Sequence, residues 1–223
     1  MLPQSEVAAG IQQELLDFAA LVRSLEDGEF ARPSRCDGWT VGDVASHVIG
    51  SFADITSGRI EGQDTPEVTA RQVAERRGRT AAELADELDH VTRRAVRMLA
   101  SFDDEAWAAQ APGGYDLTLG QAMEAFWCGT YVHADDIRAA IGRPSERGPG
   151  LRASVHHVAD LLGLKGWGPA VLALDGLDEL RISAGHESAA PRITGDPLAF
   201  LLAATGRADP APLGLDPTVN VYA

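Results

Sequence analysis

Three side chains in this sequence could carry chemistry together: His47, His133 and Asp136. His133 falls on the apolar stripe of one predicted helix and His47 on the edge of the stripe of another, so both imidazoles are expected near a helical core. Asp136 follows His133 by three residues and lies on the same helical surface, where a carboxylate can orient the ring. Imidazoles bind zinc and also act as general acids and bases, but a core histidine can equally be a hydrogen-bonded structural residue. The residues alone leave these interpretations open.

The helix that carries His133 has clear start and stop signals. Thr118 and Gln121 have the spacing of a capping box, in which each side chain bonds a backbone N–H of the first turn. Gly142 offers the left-handed conformation that ends a helix, and Pro144 bars its continuation. Side chains suited to a core recur between these ends at intervals of three and four residues: Met123, Phe126, Thr130, Ile137 and Ile141.

Three further amphipathic helices are predicted, over about residues 5–25, 41–57 and 80–99, with Ser5 as the start of the first. The other two open with capping-box pairs, Thr40 with Asp43 and Thr80 with Glu83. A short helical piece is expected after Pro66. Because each apolar stripe must be buried against another, these helices predict a four-helix bundle over residues 1–142.

The pattern changes after residues 143–150, whose sequence RPSERGPG is typical of a linker. Residues 151–223 are predicted to form a small α/β domain. Its expected elements are a helix over 151–162, short strands at 171–174, 180–183 and 192–194, a turn at Ala184-Gly185, and a helix that opens at Asp196-Pro197. The predicted fold class is therefore α+β, an N-terminal helix bundle followed by a small α/β domain.

Composition narrows the class of function. The chain has 223 residues, a formal net charge of −14 and a pI near 4.7, which argue against binding to nucleic acid or to anionic membranes. No secretory signal or long apolar run is apparent, so we expect a cytoplasmic protein. We expect the chain to be a monomer or a homodimer. Cys36 and Cys128 lie far apart without a partner pattern, and each is expected to be an ordinary thiol.

Three segments, in order along the chain, resemble the DinB-like, mycothiol-dependent maleylpyruvate isomerase family of actinobacteria. They are CDGWTVGDVASHVIG at 36–50, TYVHADDIRAAIGRP at 130–144 and RITGDPLAFLLAATGR at 192–207. The resemblance implies an enzyme with a DinB-like bundle that performs a thiol-dependent isomerisation or transfer on a small-molecule substrate. It also implies mycothiol as the thiol and a divalent metal, most often zinc, that activates the thiol as a thiolate.

The same resemblance implies site residues. His47 and His133 match two of the family's three metal ligands, and Asp136 matches an aspartate that supports the site. The third ligand of the family is a glutamate four residues before the second histidine, where this chain has Gly129. An open zinc site normally has three protein ligands, so this departure puts the metal in doubt. Either Asp54 or Cys128 is an alternative third ligand.

Gly129 either leaves space for a ligand or permits close helix packing. Without a metal, His47 and His133 are expected to act as a general acid and base, and a non-catalytic small-molecule binding module is a further alternative. Arg207 matches the end of the third segment and is either an anion contact or a helix-end charge. Four aromatic residues are expected either in a pocket wall or in the core: Trp39, Phe126, Trp127 and Tyr131.

Overall fold

The computed structural model describes residues 1–63, 65–182 and 190–222. It is an α+β protein, mostly helical with one small sheet, which confirms the predicted fold class. The chain divides into two compact units: Pro3–Glu146, and Met1–Leu2 with Arg147–Ala223. The turn predicted at 184–185 lies outside the described residues.

Four long helices build the first unit: α1 (Gln4–Arg23), α3 (Val41–Ile55), α5 (Ala81–Leu99) and α7 (Leu119–Ile141). Helices α1 and α3 each pack against both α5 and α7, so the four surround a common core. Between them lie three short helices: α2 (Asp27–Phe30), α4 (Pro66–Ala74) and α6 (Asp104–Ala108). Helix α4 is the piece expected after Pro66, and it packs on α3. Helices α2 and α6 were not predicted, because four or five residues are too few to show a helical period.

The core of this unit receives large apolar side chains from every long helix. Fully buried examples are Phe18, Ile49, Leu88 and Ile137. Burying a side chain of this size contributes roughly 1.5–3 kcal/mol, so these contacts hold the helices in place. Among the described residues, no helix is both long enough and apolar enough to cross a membrane.

Capping contacts fix the ends of α7. The Thr118 hydroxyl accepts a hydrogen bond from the backbone N–H of Gln121 at 3.2 Å, and the Gln121 side chain accepts one from the N–H of Thr118 at 2.8 Å. Gly142 ends the helix at φ 74°, in the left-handed region. These contacts confirm the predicted boundaries. The start predicted for α1 at Ser5 was wrong: α1 begins at Gln4, after Pro3, without a side-chain cap.

The second unit contains a three-stranded sheet in the order β2-β1-β3. Strand β1 (Ala170–Leu174) runs antiparallel to β2 (Leu180–Ile182) and parallel to β3 (Arg192–Gly195). Helix α8 (Pro149–Leu164) packs against β2 and against α9 (Pro197–Ala204). The Asp196 carboxylate caps α9 by accepting from the N–H of Leu198 at 2.9 Å, as its sequence predicts.

Two glycines inside the long helices have different surroundings. A Cβ placed on Gly10 of α1 would lie 2.1 Å from the ring of Trp127, so this glycine permits close packing of α1 on α7. A Cβ on Gly129 of α7 would meet no described atom of another element within 4 Å. Close packing therefore does not explain Gly129, and the interpretation that it leaves space remains.

We expect Gly129→Ala to raise the free energy of unfolding by about 1 kcal/mol, because alanine is the better helix former and its methyl group has room. Gly10→Ala gains the same helix propensity but must displace Trp127, so it should lower the free energy of unfolding. Urea denaturation of both variants measures the difference. Equal stabilisation by the two substitutions would contradict the packing described for Gly10.

Candidate functional site

The structure brings the two predicted histidines together. His47 on α3 and His133 on α7 lie edge to face, with ring centroids 5.3 Å apart and ring planes at 88°. Trp39, in the loop before α3, contacts the His47 ring with a centroid distance of 5.2 Å. Both histidines and Trp39 are half-buried. Two imidazoles and an indole thus form one half-buried cluster in the helical unit.

A buried amide holds the His47 ring. His47 Nδ1 lies 2.9 Å from Gln72 Oε1. The Gln72 amide nitrogen donates to Asp54 at 2.9 Å and to Gln63 at 3.0 Å, so the amide oxygen must face the imidazole. Ser51 donates to the same oxygen at 3.3 Å. Because that oxygen can only accept, His47 Nδ1 carries the proton and Nε2 keeps its lone pair.

Asp54 accepts the hydrogen bond that fixes the orientation of the Gln72 amide. Its carboxylate is fully buried and forms ion pairs with Arg59 at 2.5 Å and with Arg71 at 2.6 Å. Burial alone would raise the pKa of Asp54, but the hydrogen bonds from Arg71 and Gln72 lower it overall. The expectation that Asp54 replaces the missing metal ligand is therefore wrong, since two guanidinium groups and the Gln72 amide already occupy its oxygens.

The protonation of His47 follows from its surroundings. Burial lowers the pKa of His47 to about 4, and the nearby His133 adds to this effect, while the hydrogen bond to Gln72 acts in the opposite direction. His47 is thus a neutral imidazole over the physiological pH range.

A second buried group holds His133. Its Nδ1 lies 3.1 Å from Oδ2 of Asp136, whose side chain is fully buried. Arg35 donates through Nε to Asp136 at 3.1 Å and through Nη2 to Asp135 at 2.5 Å. The Cys36 sulfur lies 3.4 Å from the same Asp136 oxygen and 3.9 Å from His133 Nδ1. The loop before α3 is thereby fixed to the middle of α7.

Sequence reasoning missed Arg35, Cys36 and Gln72 as site residues. Arg35 and Cys36 stand in a loop, where no periodicity marks a side chain that points inward. Gln72 belongs to the short α4, in which it and Val73 are the buried residues. Nothing in the sequence of α4 distinguishes Gln72 from the other polar residues of that helix.

Along the middle of α7, between Met123 and Arg138, the half-exposed residues form one stripe: Ala125, Phe126, Gly129 and His133. Phe126 packs on Phe52 of α3, with ring centroids 5.3 Å apart. The rest of this part of the helix is buried. The space beside Gly129 and the half-exposed His133 therefore lie on one accessible face.

The other predicted aromatic and cationic residues have contacts elsewhere. The Trp127 indole donates to Glu14 of α1 at 3.2 Å, and the Tyr131 hydroxyl donates to the carbonyl of Glu146 at 2.5 Å. Arg207, in the second unit, donates to the carbonyl of Thr205 at the end of α9, at 3.1 Å. These are the contacts of core and helix-end residues, the alternative that the sequence left open for all three.

Comparisons with known proteins agree with this architecture. Residues 11–138 match the family model described as the mycothiol maleylpyruvate isomerase N-terminal domain. Two solved structures share the fold: a mycothiol-dependent maleylpyruvate isomerase, with a TM-score of 0.63, and a mutant of that isomerase, with a TM-score of 0.62. Each is 18% identical over 93% of this chain and 90% of the other. No curated protein sequence matches the chain.

Nitrogen-15 NMR of labelled imidazoles tests the state of His47. We expect Nδ1 to carry the proton at neutral pH, and the ring to titrate near pH 4. Because this pKa lies below the unfolded value of about 6.5, the stability from His47 is complete above pH 6.5 and is lost as the pH falls toward 4. Gln72→Glu would place a carboxylate on Nδ1 and raise the pKa. A wild-type titration near pH 6.5 would contradict the assignment.

Proposed function

This chain belongs to the mycothiol maleylpyruvate isomerase family, whose N-terminal domain model matches more than half of its length, and on that premise we propose that it is a maleylpyruvate-isomerase-like enzyme. Its proposed activity is a thiol-dependent isomerisation or transfer on a small molecule, with mycothiol as the thiol. The observation that supports this site is the pair of imidazoles, His47 and His133, that meet 5.3 Å apart at an accessible face of the helical unit.

The family's three-ligand metal set does not fit this chain. His47 and His133 would each supply Nε2, and their Nδ1 contacts with Gln72 and Asp136 are of the kind that orient metal-binding histidines. The third position is Gly129, which has no donor atom, and Asp54 is bound by arginines. Two neutral nitrogens lack the third protein ligand of an open zinc site. The roles proposed for His47 and His133 therefore use the imidazoles alone.

The proposed role of His133 is to move a proton. Asp136 accepts the hydrogen bond from Nδ1 and holds the ring, so Nε2 is the atom that takes the proton from a bound thiol and later returns it. The resulting thiolate adds to a carbon–carbon double bond conjugated to a carbonyl of the substrate, and the π electron pair moves onto the carbonyl oxygen as an enolate. The former double bond is now a single bond and can rotate. Expulsion of the thiolate then restores the double bond in the other geometry.

The proposed role of His47 is different. A pKa of about 4 makes its imidazole a weak base, so it stays neutral beside His133. The lone pair on Nε2 can accept a hydrogen bond from the thiol or from a substrate hydroxyl, and the contact with Gln72 fixes its direction. Trp39, packed on the His47 ring, is proposed to cover the substrate from the side opposite α7.

A second candidate function follows from Gly129. The space at this position is where the family has a charged ligand, and without that ligand the face formed by Phe126 and Gly129 is less polar. A repurposed enzyme that binds a more apolar small molecule and uses the two histidines as acid and base, without a thiol, would suit this space.

Substitution of each histidine tests the leading proposal. With mycothiol and maleylpyruvate as substrates, we expect His47→Ala and His133→Ala to lower kcat/KM by about 100-fold or more, the usual contribution of a positioned acid or base. His90→Ala, on the exposed face of α5, is the matched control and should leave the rate unchanged. Product formation followed by chromatography gives the rates.

Three outcomes would contradict the leading proposal. Turnover by the wild-type chain that is independent of thiol would favour the second candidate. Binding of maleylpyruvate without turnover would favour a non-catalytic binding module. Unchanged activity in both histidine variants would place the chemistry elsewhere in the chain.

A further inference from the structure

Three side chains place sulfur, nitrogen and oxygen donors together where the loop before α3 contacts α7. Between Cys36 Sγ, His133 Nδ1 and Asp136 Oδ2 the separations are 3.1 Å for nitrogen to oxygen, 3.4 Å for sulfur to oxygen and 3.9 Å for sulfur to nitrogen. Among the described residues, this is the one group of three such donors close enough to share a metal ion. We propose that Cys36, His133 and Asp136 bind zinc, in a site that differs from the ligand set of the family.

The spacing of the donors suits a tetrahedral ion. Zinc bonds of about 2.3 Å to sulfur and about 2.0–2.2 Å to nitrogen and oxygen give ligand-to-ligand distances of about 3.3–3.6 Å. The observed separations bracket this range. Shifts of a few tenths of an ångström therefore bring all three atoms to bonding distance, and the mixed set of sulfur, nitrogen and oxygen suits zinc better than magnesium or calcium.

The charge of the cluster favours a divalent cation. One guanidinium, Arg35, faces two buried carboxylates, Asp135 and Asp136, so these three groups together carry a charge of −1. Among the described contacts, Asp135 Oδ1 is buried without a hydrogen-bond partner. When zinc binds, the thiol of Cys36 releases its proton to solvent, and His133 stays neutral by carrying its proton on Nε2. The thiolate adds a second negative charge, which the ion neutralises together with the first.

The surroundings orient the donors. Arg35 Nε holds Oδ1 of Asp136, which leaves Oδ2 directed at Cys36 and His133. Asp136 is fully buried, whereas Cys36 and His133 are half-buried, so an ion can enter from the side of the thiol. Three protein ligands leave a fourth position for water or for another thiol, the arrangement of an open zinc site.

This site also explains how the chain can lack the family's glutamate. The anionic ligand would come from the loop before α3, through Cys36, instead of from position 129 on α7. His133 would then bind the ion through Nδ1, which is the nitrogen that faces Cys36, and His47 would stay outside the ligand set. The inference stands on the geometry of the cluster and does not rest on the proposed function. With zinc bound, Nε2 of His133 carries the ring proton, so the base role proposed for that atom belongs to the metal-free chain.

Cobalt(II) provides the test, because it substitutes for zinc and reports sulfur ligation. Titration of the full chain with cobalt should reach one equivalent and produce a near-ultraviolet charge-transfer band from thiolate to cobalt, which zinc then removes. Cys36→Ser should abolish this band and weaken cobalt binding by about 10-fold or more. Cys128→Ala is the matched control and should retain the band and the affinity for cobalt, because the buried Cys128 is not one of the three clustered donors.

Several results would overturn the site: no cobalt binding, binding without the charge-transfer band, or an unchanged spectrum in Cys36→Ser. Loss of binding in His47→Ala with retention in Cys36→Ser would place the ion between the histidines instead. Circular dichroism of each variant shows that it is folded, which is expected for a change at the half-buried Cys36. The cobalt titration uses no substrate, so its result is separate from the activity assay. A charge-transfer band without turnover would refute the proposed function alone, and turnover without the band would refute this metal site alone.

Discussion

Each imidazole of the pair is held through Nδ1 by a buried acceptor, and the proposed chemistry depends on these two hydrogen bonds. Gln72 orients His47, and Asp136 orients His133. Both acceptors are connected to arginines. Gln72 donates to Asp54, which pairs with Arg71, and Asp136 pairs directly with Arg35. Buried charges are costly unless they are paired, so loss of one member leaves its partner uncompensated. The networks therefore fix both the rings and the segments that carry them.

Much of the fold could be predicted because its signals are local. The capping pair of Thr118 and Gln121, the left-handed Gly142 and the cap at Asp196 each depend on a few neighbouring residues, and the structure confirms all three. The long helices followed from apolar periodicity. Helices α2 and α6 could not be found in this way, since they are too short to show a full period. The first helix begins at Gln4, after Pro3, without the side-chain cap that Ser5 was predicted to supply.

The site was only partly predictable. His47 and His133 were indicated by their places on two helical stripes and by the family resemblance. The residues that orient these two rings were harder to predict, because several contacts join elements that are distant in sequence. Sequence spacing does not show that the loop at Cys36 contacts α7, or that Gln72 of α4 contacts His47 of α3. The alternative of Asp54 as a metal ligand failed for the same reason, because its arginine partners, Arg59 and Arg71, lie outside α3. The sequence shows that Gly129 replaces the glutamate of the family. Only the structure shows that a Cβ at this position would meet no described atom of another element within 4 Å.

His47 and His133 are proposed to serve the same step, the activation of the thiol, and the kcat/KM of the double variant His47→Ala/His133→Ala tests this most directly. Residues that serve the same step are strongly non-additive, so removal of both should cost little more than removal of one. We therefore expect the double variant to be about as slow as the slower single variant. A loss equal to the product of the two single losses would show that the histidines act independently, and would contradict this account.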